Sequence, residues 1–167
     1  MATKIKVRPQ KVSDAKSFFE ILNNDNFRYF GARPKTIKEE IAFLKKNPRW
    51  RKQNFAYNFS ILLGKELVGG CGIHINQHRL HIGEIGYFVD ESYWGKGIAT
   101  QAVSFLETLG FGKLKLKRIE ILMEPKNKAS EKVAVKNGYK KEGLMKKVVF
   151  SKRAKDYRDC YLYAKVK

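Results

Sequence analysis

The tightest constraint on the fold lies between residues 81 and 112. An apolar run ending at Val89 leads to Trp94-Gly95-Lys96-Gly97, and beyond it Ile98, Ala102, Val103, Leu106 and Leu109 recur at helical spacing. A strand, a short glycine turn and an amphipathic helix bury their apolar faces by packing the helix back onto the strand's own sheet. Gly95 and Gly97 let the turn expose successive backbone N–H groups. Such groups, with the positive end of the helix dipole, attract phosphate oxygens, and Lys96 adds a direct charge. The same turn also suits a plain strand-to-helix connection. A dinucleotide fingerprint is excluded, because the third glycine position holds Thr100, and no G-x-x-x-x-G-K-[ST] phosphate loop occurs.

The flanking pattern places this unit in a mixed α+β chain. Residues 3–8 alternate as a strand. Ser13 or Asp14 then caps a helix with Ala15, Phe18, Phe19 and Leu22 on one face. Thr36 caps a second helix to about residue 46, with Ile37, Ile41 and Leu44 inward and Pro48 ending it. Residues 54–63 and 66–75 read as a hairpin joined at Gly64-Lys65. A strand at 117–123 precedes a helix opened by Asn127 and closed at Asn137-Gly138, and two strands at 139–150 and 158–166 follow. The order β-α-α-β-β-β-α-β-α-β-β predicts one domain over residues 1–167: a central mixed, mostly antiparallel sheet of six to seven strands flanked by about four helices.

Charge and composition narrow the partners. Thirty-five Lys and Arg stand against 16 Asp and Glu, a formal charge of +19. That field speeds association with anions such as phosphates, ribosomal RNA or an acidic protein. The lysines are scattered from end to end, which equally suits a solubilising surface, and no aromatic–basic RNA motif of the common modules is evident. Cys71 and Cys160 lie in apolar runs and read as small core residues. His74, His78 and His81 surround one turn without the partners a metal site needs, so no metal is expected. No apolar run reaches the ~20 residues of a membrane span, and the N-terminus lacks a signal-peptide stretch, so a cytoplasmic protein is expected.

The segment Ile85-Gly86-Tyr87-Phe88-Val89-Asp90-Glu91-Ser92-Tyr93-Trp94-Gly95-Lys96-Gly97-Ile98-Ala99-Thr100 closely resembles the acetyl-coenzyme A motif of the GCN5-related N-acetyltransferases (GNAT). It is most similar to the RimJ/RimL-like branch of ribosomal-protein-alanine acetyltransferases. Asn127-Lys128-Ala129-Ser130, with Val133, Lys136, Gly138 and Tyr139, resembles that branch's second motif, and Glu142-Gly143 and Tyr157-Arg158-Asp159 also fit. The resemblance implies acetyl-CoA as co-substrate. It further implies pantetheine contacts from the backbone of Tyr87, Phe88 and Val89, a pyrophosphate seat on the turn Gly95 to Thr100, and a cofactor contact from Asn127. Trp94 departs from the Gln or Arg that often starts the motif.

Acetyl transfer to an amine requires a neutral nucleophile and a path for its proton. An α-amine, with a pKa of about 7.7–8.0, needs only a modest base. Glu84, in the apolar strand His81-Ile82-Gly83-Glu84-Ile85-Gly86, is the candidate base, and a salt-bridged surface role is its alternative. Many family members carry an acid tyrosine where this chain has Ala134; Ser130, one turn earlier, resembles the serine proposed for that role in the ribosomal branch. Ser130 also suits a purely positional part. By analogy, residues 23–35 and 150–157 flank the acceptor groove, where Arg28, Tyr29, Phe30 and Arg33 meet an extended peptide. The expected acceptor is a protein N-terminus. A polyamine is the alternative, and it requires Asp25, Glu39, Glu40 and Glu84 to gather into an acidic pocket. A non-catalytic acyl-CoA- or RNA-binding module, ribosome association through the basic surface, and a monomer or a homodimer paired through a C-terminal strand complete the expectations.

Overall fold

The computed structural model describes residues 4–167. Residue 3, where the first strand was expected to start, lies outside them. Among the described residues seven strands form one sheet, in the order β1-β2-β3-β4-β5-β7-β6. They are β1 (Lys6–Pro9), β2 (Ala56–Leu63), β3 (Glu66–Ile75), β4 (Ile82–Val89), β5 (Arg118–Met123), β6 (Lys140–Ser151) and β7 (Asp156–Val166). Only β4 and β5 run parallel; every other neighbouring pair is antiparallel. The mixed, mostly antiparallel sheet expected from the pattern is therefore present. The helices are α1 (Ala15–Leu22), α2 (Ile37–Leu44), α3 (Asn47–Lys52), α4 (Ile98–Glu107) and α5 (Lys128–Lys136).

Each face of the sheet has its own core. One gathers Phe59, Ile61, Ile73, Ile85, Ile119 and Ile121 from the strands with Val103 and Leu106 of α4 and Ala134 of α5. The other packs Phe18 and Leu22 of α1, Phe27 of the loop that follows and Leu44 of α2, with Phe88 of β4 against them. Strict alternation in β5, where Ile119, Ile121 and Met123 are buried, aims every second side chain at the first core. Burial of each such side chain stabilises by about 1.5–3 kcal/mol.

Two helix boundaries differ from the pattern reading. Thr36 caps α2 as expected, its side-chain oxygen accepting from Glu39 N at 3.2 Å, but α2 stops at Leu44. Pro48 then opens α3 instead of ending α2. Proline lacks the N–H that a first helical turn leaves unused, so it starts a helix at no cost in hydrogen bonds. Within α2 the buried side chains are Glu40 and Leu44, whereas Ile37 is exposed. After α4 the chain widens into a π-helical turn over Thr108–Lys113. There Gly110 presses on the sheet so closely that a β-carbon would meet Ile119 Cδ1 at 2.8 Å. Cys71 and Cys160 are both buried.

Candidate active site

The sheet opens in its middle. Ladder pairing between β4 and β5 covers only Ile82–Arg118, Gly83–Ile119 and Glu84–Glu120, although β4 continues to Val89. Beyond Glu84 the two strands have no shared ladder, so β4 turns backbone groups toward a gap. Alternation assigns its side chains. Ile85, Tyr87 and Val89 join the core under α4 and α5, whereas Phe88 joins the core under α1 and α2. Glu84 and Gly86 share the Phe88 face, and no atom lies within 4 Å of where a Gly86 β-carbon would stand.

Glu84 is solvent-accessible on that face, between His74 of β3 and Glu120 of β5. Surrounding protein desolvates its carboxyl, and the charge of Glu120 adds to this; both push its pKa above the ordinary carboxylate range. Arg118 holds Glu120 at 2.6 Å and grips Glu142 with both guanidinium nitrogens, at 2.9 and 2.5 Å. Arg118 thereby holds the Glu120 side chain in place in register with Glu84. Sequence reading missed Glu120, since only the parallel register brings it there.

Across the gap, Ser130 is buried near the start of α5, and Tyr87 Oη lies 2.7 Å from its Oγ. Burial pushes the Tyr87 phenol up to about 12, so Tyr87 is a neutral hydroxyl able to donate. Asn127, expected at the cofactor arm, caps α5: its Oδ1 accepts from Ser130 N at 3.1 Å. Asn127 and Tyr87 therefore hold Ser130 from two sides. Tyr87 entered the sequence reading through its backbone alone, because a partner 43 positions away leaves no local signal.

The glycine turn uses backbone conformations that glycine alone adopts readily. Gly95 and Gly97 have φ of 77° and 74°, values that L side chains adopt with strain, and Gly97 is the residue before α4. The N–H groups of Gly95, Lys96 and Gly97 form no hydrogen bond among the described residues. Those of Ile98, Ala99 and Thr100 begin a helix and have no intrahelical partner. Lys96 Nζ rests on Ser92 O at 3.2 Å, 4.6 Å from the Tyr93 ring centroid. Trp94 is half exposed; its Nε1–H donates to Val89 O at 2.7 Å and its ring lies 5.9 Å from that of Phe27. A neighbouring cavity of about 290 Å³ is lined by Glu20, Glu66, Asp90 and Glu91, a charge that repels phosphate, so the free amides and not this cavity suit an anion.

The loop after α1 is latched to the same turn. Asn24 and Asn26 donate to the two carboxylate oxygens of Glu91, at 2.9 and 2.7 Å. Of the four groove candidates, Arg28 and Tyr29 are exposed. Phe30 packs on Phe88 at 4.9 Å, and Arg33 is engaged by Asn23 and Asp25. From the other side Arg153, in the β6–β7 turn, donates to Leu22 O at 2.7 Å and Asn24 O at 3.0 Å. The two segments expected to flank the groove thus touch each other.

Residues 4–140 match the family model of the acetyltransferase (GNAT) domain. The chain is 35% identical to the uncharacterized N-acetyltransferase p20 of Bacillus licheniformis over 67% of its own length, a match spanning 63% of that relative. It is 32% identical to the ribosomal-protein-serine acetyltransferase of Escherichia coli, over 72% of this chain and 66% of that one. Mycobacterium smegmatis RimJ, solved in complex with CoA-disulfide, superposes with a TM-score of 0.88 at 25% identity, covering 99% of this chain and 83% of RimJ. The chain belongs to the GNAT acetyltransferase family, as an N-acetyltransferase similar to the RimJ/RimL ribosomal-protein enzymes.

Proposed function

We propose that this chain, as one catalytic unit over residues 1–167, transfers the acetyl group of acetyl-CoA to a primary amine on a protein, most directly an N-terminal α-amine. The reading rests on one observation above the others: the β4–β5 ladder ends at Glu84, leaving a gap with a raised-pKa carboxyl on one face and the Tyr87–Ser130 pair on the other. The free amides over residues 95–100, and open space beside Gly86, Gly95 and Gly97, fit a phosphate-bearing arm entering from the α4 end. Backbone of Tyr87, Phe88 and Val89 holds that arm in this reading. Trp94 and Lys96 brace the turn.

Acetyl-CoA supplies the activated acyl group as a thioester. Glu84 accepts the proton of the acceptor amine, directly or through a water; in this reading Ser130 Oγ–H protonates the leaving sulfur and regains its proton from solvent, relayed through Tyr87 Oη. For Ser130 to donate, its proton must be free, which this reading meets with Tyr87 donating in the 2.7 Å contact. Arg28 and Tyr29 line the acceptor's approach, with Phe30 and Arg33 shaping the loop behind them. The relatives that act on ribosomal proteins support a protein acceptor, and a cytoplasmic setting accords with it. A polyamine is less well served: Asp25 is paired with Arg33, Glu39 caps the Lys35 N–H, and Glu40 is buried.

The test is free-thiol release from acetyl-CoA against peptides starting with alanine or serine, polyamines and aminoglycosides. Release with the peptides is expected. Release with a polyamine alone would overturn the protein acceptor, and cofactor binding without release for any amine would overturn catalysis.

A further inference from the structure

The fold assembles a surface that sequence order conceals. Phe43 of α2, Trp50 of α3, Phe55 and His74 form a row of rings with successive centroids 5.3, 5.7 and 6.1 Å apart. Phe43 and Phe55 are 39% and 37% exposed, and His74 is also exposed, although large aromatics are ordinarily drawn into a core. Five of the eight residues from Lys45 to Lys52 are Lys or Arg. Lys45, Lys46, Arg49 and Lys52 are exposed and none forms an ion pair among the described residues, while Lys46 Nζ lies 5.8 Å from the Trp50 ring centroid. Between Glu40 and Glu84 the only acidic residue is Glu66. Elsewhere carboxylates answer the lysines, as at Lys128–Glu131 and Lys165–Glu107. Here cations and rings alternate, with no carboxylate paired to those cations among the described residues.

We infer that the α2–α3 surface, with Phe43, Trp50 and Phe55 as stacking platforms and Lys46, Arg49 and Lys52 as phosphate contacts, binds single-stranded RNA beside the acceptor groove. Unpaired cations alone would suit any polyanion. The exposed rings favour bases, since base–aromatic stacking is sequence-tolerant and an acidic peptide offers no flat partner to them. Position supports the assignment. The row ends at His74, which faces Glu84 across the β3–β4 ladder, so a strand held there lies one strand away from the proposed base. An acceptor protein that presents its N-terminus next to RNA would be held by both surfaces at once, and in that respect the inference rests on the proposed function. RNA binding itself does not.

The experiment measures anisotropy of a fluorescein-labelled oligouridylate of about ten nucleotides across a salt series, without acetyl-CoA. Two triple variants carry the same charge change: Lys46→Gln/Arg49→Gln/Lys52→Gln on the surface, and Lys113→Gln/Lys117→Gln/Lys167→Gln as an exposed control. The surface triple should weaken binding at least tenfold and make the log–log salt slope shallower by about 2, at about 0.7 per lost single-strand phosphate contact. The control should change binding less than threefold. Phe43→Ala/Phe55→Ala, with charge intact, should weaken binding about tenfold at unchanged salt slope. Equal losses in the two triples, no oligouridylate binding by the unaltered chain, or full competition by a poly-glutamate peptide with no effect of the aromatic pair would overturn the assignment. Acetylation of a free peptide by the surface triple should match the unaltered chain. If no amine is acetylated while the oligouridylate results hold, the proposed function fails and the RNA surface stands.

Discussion

Two carboxyls face each other in the β4–β5 register, in unlike surroundings. Glu120 is paired with Arg118, whereas Glu84 has no ion-pair partner among the described residues and its pKa is raised by burial and by the charge of Glu120. A base works only when deprotonated, so turnover should rise with pH through the raised Glu84 pKa. It should rise again through the α-amine pKa of the acceptor near about 8. Glu84→Gln should lower kcat by about 10²–10⁴ and abolish the lower limb of the kcat profile, leaving cofactor affinity unchanged. An identical two-limbed profile in the variant would remove Glu84 from the mechanism. Tyr87→Phe tests the other face. Loss of one hydrogen bond to a reacting hydroxyl, worth about 0.5–1.5 kcal/mol, should lower kcat about 2- to 10-fold. In a Ser130→Ala background the same change should cost nothing further, because the bond is already gone. Additive losses would mean that Tyr87 acts independently of Ser130.

Elements carry the site through their ends. The helices α4 and α5 present N-terminal turns to the gap, the first with free amides and the second with its Asn127 cap and Ser130. The β6–β7 turn is a separate arm, held by Arg153, whose Nη2 donates to Leu22 O at the end of α1 and to Asn24 O in the loop just beyond it. Arg153→Ala should free this arm, raising KM for the peptide acceptor about tenfold with cofactor affinity unchanged. Limited proteolysis should then cut near residues 151–155, where the unaltered chain resists. Unchanged KM and cutting would show that the arm stays in place without the arginine. Elements themselves were largely readable: the hairpin around Gly64-Lys65, the Thr36 cap and the strand–turn–helix at Gly95–Gly97 are local patterns of turn chemistry and periodicity. Asn47-Pro48 was not, because proline both ends and begins helices and only the packing of α3 on the sheet selects between them.

For the whole molecule, sequence alone determined the mixed sheet, the two helical layers and the phosphate-suited turn. Those features follow from spacings of two, of 3.6 and of a few residues, which the chain carries within itself. The pairing of motifs also pointed to the acetyltransferase family, and the roles proposed for Glu84, Ser130 and Gly97 start from it. Tertiary structure alone decided who meets whom: Glu84 beside Glu120, Tyr87 on Ser130, Arg153 on Leu22, and Phe43, Trp50 and Phe55 in one row amid unpaired lysines. The physical reason is that β7 inserts between β5 and β6, and β4 parts from β5 after three residue pairs. Such partnerships depend on strand order and register, which arise from burying both faces of the sheet at once and leave no periodic trace in the chain.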